Sequence, residues 1–163
     1  FMLIGILLSN ATTAAALPRL SYYWNLEAYK TGVALFRRLF VANVFLGLII
    51  FVSALIFAPA LLRIFQIATS ANICLLITLM GAVAVRCLSG PLATFIRSQK
   101  SFVYLLVAEV LTTTSLIVCL IIFGSGSLVG IGFAVLMASI SSLIIQYVLF
   151  SRLFRSGLTH VMS

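Results

Sequence analysis

Two ionisable residues stand inside runs that are otherwise apolar, Arg86 within LMGAVAVRCLSGP and Glu109 within FVYLLVAEVLTTT. A guanidinium near the centre of a hydrophobic helix costs about 2.5–3.5 kcal/mol on insertion scales, so it faces a bundle interior or a hydrated cavity rather than lipid. Arg86 lies roughly 15 Å inside the end of its run, too deep to snorkel readily, and Glu109 roughly 11 Å inside its own. The runs are consecutive and joined by a short loop, which predicts neighbouring antiparallel helices with both charges at comparable depth. Two arrangements are open. Arg86 and Glu109 form an ion pair that ties two helices together, or Arg86 faces a cavity that receives an anionic substrate while Glu109 tunes it. Asn43, near one end of an apolar run, is a second candidate for a cavity position, and Arg38 stands at the mouth of the same run. Gly90-Pro91 breaks one helical hydrogen bond and predicts either plain curvature or a hinge.

Other polar residues in the runs are Asn10, Thr12, Thr13, Thr78, Thr112, Thr113, Thr114 and Gln146. Their expected role is to satisfy helix carbonyls or neighbouring helices. The chain has no aspartate, and its single His, His160, lies near the C-terminus. Cys74, Cys87 and Cys119 sit in hydrophobic runs without a CxxC partner, as small apolar side chains do. No phosphate-binding loop, nucleophile elbow or metal-protease motif occurs. With so little for general acid–base chemistry, no enzyme active site, metal or cofactor is expected.

The elements that must hold these residues follow from composition. Of 163 residues, 64% are hydrophobic and 7% charged, with mean hydropathy +1.32. A soluble domain carries about a quarter charged residues, and a disordered chain carries more charge and fewer apolar groups. What remains is an all-α polytopic membrane bundle of about five spans, over 1–17, 39–62, 70–95, 102–123 and 128–151. Between the first two, Leu26, Tyr29, Val33, Phe36 and Phe40 recur at helical spacing against Glu27, Lys30, Arg37 and Arg38. That pattern predicts an amphipathic helix over 25–38, capped by Asn25, lying in the interface plane and continuing into the second span. Tyr22, Tyr23 and Trp24 mark a membrane boundary beside it. The small-residue run Gly124 to Ala134 predicts close helix packing.

The net charge of +8 is read as topology rather than nucleic-acid binding. Arg19, Lys30, Arg37, Arg38, Arg97, Lys100, Arg152 and Arg155 fall on one side of the alternating spans, and Arg63 alone on the other. The first side, with the C-terminus, is expected in the cytoplasm. Residue 1 is Phe, and the first apolar run spans only about 26 Å before Pro18. The chain is therefore expected to be the C-terminal piece of a longer protein, with a transmembrane lobe over 1–155 and a tail over 156–163.

The layout resembles a known family. A helix ends in AALPRLS, a basic amphipathic segment follows, the next helix ends in an AP pair at Ala58-Pro59, and the last begins with a GxGxA run at Gly130, Gly132 and Ala134. This is similar to the C-terminal lobe of bacterial polysaccharide-exporter and O-antigen flippases, of the multidrug/oligosaccharidyl-lipid/polysaccharide exporter superfamily. After the AP pair this chain reads Phe65-Gln-Ile-Ala-Thr-Ser where the family often has an FG..Y pattern. The resemblance implies one lobe of a two-lobe, alternating-access transporter in the bacterial inner membrane. Its substrate would be a polyprenyl-diphosphate-linked oligosaccharide for surface polysaccharide such as lipopolysaccharide or exopolysaccharide, its partners membrane lipids and a missing N-terminal lobe. Arg86, Glu109, Asn43 and Arg38 would bind substrate, with a hinge at Gly90 and Pro91. A cation-coupled drug antiporter or peptidoglycan-precursor flippase of the same superfamily stays open, as do a membrane glycan polymerase or ligase and a small membrane scaffold. The short outward loops argue against the polymerase.

Overall fold

In the computed structural model, residues 2–26, 28–64, 67, 69–98, 102–124 and 126–162 are described; Glu27 and Lys100 lie outside them, as do the side chains of Trp24, Asn25, Tyr29, Arg155 and His160. The chain is all-helical, with α1 Met2–Asn25, α2 Tyr29–Ile64, α3 Ser70–Ser98, α4 Phe102–Phe123 and α5 Leu128–Met162. Among the described residues, four helices, α2 to α5, are long and apolar enough to cross a membrane. The apolar run of α1 is interrupted by Ser9, Asn10, Thr12 and Thr13.

Local chemistry sets the boundaries. Thr69 caps α3, its Oγ1 accepting the Asn72 N–H at 3.2 Å. Ser127 caps α5 in the same way, accepting the Gly130 N–H at 3.0 Å. Between α4 and α5, Gly126 adopts φ +113°, a conformation open to glycine and strained for other residues.

One expectation about the first third changes. The first helix does not stop at Pro18 but runs on to Asn25, so Asn25 ends α1 instead of capping the next helix. One proline removes a single ladder bond, and membrane helices absorb that loss. Ala16 and Leu20, buried on either side of Pro18, hold the helix in place across it. The amphipathic segment does continue into the second span: residues from Tyr29 onward belong to α2 without a break. Its periodicity is real, since Lys30, Arg37 and Arg38 are exposed. Its apolar face, however, packs on protein. Phe36 stacks on Phe150 of α5 at 5.0 Å between centroids and meets Phe95 of α3 edge-on at 5.4 Å.

That aromatic cluster, which also takes in Phe40 and Phe154, joins the start of α2, the end of α3 and the later part of α5 at one end of the bundle. Arg37, Arg38, Arg97 and Arg152 are exposed near that end, and Arg63 is exposed at the far end of α2. The charge asymmetry read from the loops is thus a property of the folded bundle. At the last helix, α5 continues beyond residue 151 to Met162, so residues 156–162 are helical.

Helix α3 is the hub, packed against α1, α2 and α5. Its seams are made by small residues. A Cβ on Gly47 would sit 2.9 Å from the Ala84 carbonyl oxygen, so α2 and α3 touch backbone to backbone. A Cβ on Gly132 would run into Thr78 Oγ1 and stand 3.0 Å from a Leu75 methyl, which fixes α5 on α3. Ala134 is fully buried beside it. Of the Gly124–Ala134 run, the stretch from Gly130 to Ala134 packs closely as expected, while Gly126 has open space around it.

Candidate functional site

Helix α4 packs on α5 and barely touches α3, so α5 wedges between two helices that are consecutive in the chain. Ile96 of α3 and Ala108 of α4 share a buried cluster with Leu149 of α5 near the aromatic end. Away from that cluster a cavity of about 370 Å³ opens between α3, α4 and α5, with Asn10 of α1 on its wall. Its volume is at the small end of ligand sites.

Arg86 and Glu109 both line this cavity. Among the described residues no ion pair joins them, and both side chains are exposed to the open space. Arg86 lies twelve residues before the end of α3 and sixteen after its start, about 18 Å and 24 Å along the axis. It is therefore a cation at mid-depth with access to a cavity. The expectation of two adjacent helices is replaced by a wedge, and the wedge explains why the charges share a cavity without meeting.

The rest of the wall mixes apolar side chains, Val83, Cys87, Leu116 and Ala138, with polar ones. Helix α3 adds Ser89 and Gly90, α4 adds Thr112 and Thr113, and α5 adds Ser139, Ser142 and Gln146. Several hydroxyls donate to their own helix: Ser89 to the Arg86 carbonyl at 3.0 Å, Thr113 to the Glu109 carbonyl at 2.9 Å and Ser139 to the Val135 carbonyl at 2.8 Å. Their oxygens then face the cavity as acceptors. The Thr112 hydroxyl donates across the α4–α5 seam to Ser142 Oγ at 3.2 Å. Gln146 Nε2 donates to the same oxygen at 3.5 Å, while Gln146 Oε1 is buried without a hydrogen-bond partner. A buried acceptor left unpaired marks a place for a donor, from water or a ligand. An unpaired guanidinium among acceptors suits a bidentate anion such as a phosphate or carboxylate.

The other sequence candidates fall elsewhere. Asn43 is buried, its Nδ2 donating to the Leu39 carbonyl at 2.9 Å, and it does not line the cavity. Arg38 lines a separate depression on α2 with Lys30 and Arg37. Gly90 touches the cavity, and Pro91 is buried next to it. Helix α3 runs unbroken through Pro91, and the Thr94 hydroxyl donates to the Gly90 carbonyl at 2.9 Å. Ser89, Ser139 and Ser142 were not anticipated. Spacing could have found the last two: Ser139, Ser142 and Gln146 recur at three and four residues along one face of α5.

Among the described residues no three His, Cys, Asp or Glu side chains gather. No protein-family model, curated protein or solved structure matches this chain.

Proposed function

We propose that the chain is one lobe of a flippase that moves a polyprenyl-diphosphate-linked oligosaccharide from the cytoplasmic to the outer leaflet of a bacterial inner membrane. The observation that carries this reading is Arg86, a mid-depth cation without an ion-pair partner among the described residues, facing a cavity that also presents hydroxyls and Gln146. A diphosphate moving through hydrocarbon needs a cationic, hydrated path. The cavity of about 370 Å³ suits the diphosphate; the sugars would occupy space shared with the missing lobe. Glu109 tunes the pocket by keeping its net charge low, so that the anion binds weakly enough to leave. Gly90 and Pro91, on the cavity wall and beside it, are where α3 would flex during alternating access. The basic end of the bundle, with the C-terminus, faces the cytoplasm. Arg38 and Asn43, outside the cavity, do not enter the step that Arg86 serves.

In cells lacking their own copy of the gene, Arg86→Ala made at normal levels leaves lipid-linked repeat units in the cytoplasmic leaflet, and Arg86→Lys restores part of the export. Full export by Arg86→Ala overturns the reading. Glu109 on the same wall favours a second reading, a cation-coupled antiporter of the same superfamily. In that case Glu109→Gln changes drug sensitivity and leaves surface glycan intact.

A further inference from the structure

The outer face of the α2–α3 pair carries a second built feature, remote from the Arg86 cavity. Lys30, Arg37 and Arg38 line one depression of about 680 Å³ on α2, together with Val33 and Val41. Less than one turn further along, Val44 begins an apolar groove of about 460 Å³ between α2 and α3. Gly47 and Leu48 continue it on α2, with Gly81, Ala84 and Leu88 on α3. Lys30, Arg37, Val41, Val44 and Leu48 fall on one stripe at 3.6 residues per turn, so depression and groove are stacked on the same face. From Leu88 to Ile77 the groove runs about 17 Å along α3, close to the roughly 15 Å hydrocarbon depth of one leaflet.

We propose that this face binds an anionic phospholipid, its phosphate against Lys30, Arg37 and Arg38 and one acyl chain in the α2–α3 groove. Positive-inside bias accounts for cations at this end in general, and Arg97 and Arg152 are exposed there too. It does not account for three of them lining one depression directly above an apolar groove lined by α2, α3 and Leu136 of α5. The charge also selects the occupant. A helix inserted from the same side brings its own cations under the same bias and is repelled, whereas an anionic lipid supplies an anion and an apolar chain at the right separation. The proposal needs only that α2 and α3 span a bilayer, and it is independent of what Arg86 does.

The experiment is native mass spectrometry of the chain released from nanodiscs of mixed phosphatidylglycerol and phosphatidylcholine. The wild type retains phosphatidylglycerol in preference to phosphatidylcholine. Arg37→Gln with Arg38→Gln lowers that retention about fivefold per cation removed. Leu48→Trp fills the groove with the charges intact and lowers it by about tenfold, while Arg152→Gln leaves it unchanged. Should either variant fail to fold, the wild type alone decides, because retention then falls as ionic strength rises from about 0.05 to about 0.5 M. Equal retention of both lipids, salt-independent retention, or an Arg152→Gln loss equal to that of the α2 double variant overturns the proposal.

Discussion

Helices α3 and α4 each carry one ionisable residue into the membrane-crossing region, yet they are held in opposite ways. Over its most apolar stretch α3 is 28% buried, and α4 only 6%. Arg86 rides on a helix clasped by α1, α2 and α5, while Glu109 rides on a helix seated on α5 that barely touches α3. The cation is therefore on the rigid wall of the cavity and the carboxylate on the wall that can be displaced. Lipid is as apolar as leucine, so burial inside the bundle comes from fit and not from escape from water. Small residues supply that fit along several seams of α3, while on α4 they serve the α5 seam, at Ala108 and Thr112.

The contrast can be broken by attacking the seams of α3. Phe95→Ala empties the centre of the aromatic cluster and costs about 3 kcal/mol, read as a lowered midpoint of unfolding in detergent. Gly132→Val drives a side chain into Thr78 and Leu75, costing about 2 kcal/mol in the same assay. Gln146→Leu removes the unpaired buried oxygen and stabilises the bundle by about 1 kcal/mol. It removes a cavity acceptor at the same time, so under the proposed flippase reading stability rises while export falls. Val118→Ala, on the exposed face of α4, changes stability by less than about 0.5 kcal/mol. If it costs as much as Gly132→Val, α4 is clasped in the membrane by something the chain alone does not contain.

The sequence was most legible where a residue broke its local pattern. Arg86 and Glu109 are charges in apolar runs, and both line the cavity. The basic residues at alternate ends of the runs gather near one end of the folded bundle because successive helices alternate in direction. Pro18 misled, because a rule learned from water-exposed helices overestimates what one lost bond costs in a membrane. The segment around Phe36 misled differently: an amphipathic stripe shows that a partner exists, but not whether the partner is lipid headgroups or Phe95 and Phe150. The adjacency of α3 and α4 was inferred from a short loop, which limits how far two helix ends separate and leaves the rest of each helix free. Nothing in the apolar runs announced that α5 would enter between them. Ser89 and Ser139 stayed invisible because a serine that bonds its own helix leaves no mark in spacing.

The position of α5 also dictates an order of assembly. Synthesis runs from the N-terminus, so α1, α2 and α3 can close on one another before the remainder emerges. Helix α4 then enters the bilayer with its seat not yet built, and stands among lipids until the last helix arrives. Its composition fits that wait: from Phe102 to Phe123 it carries a single charged residue, Glu109.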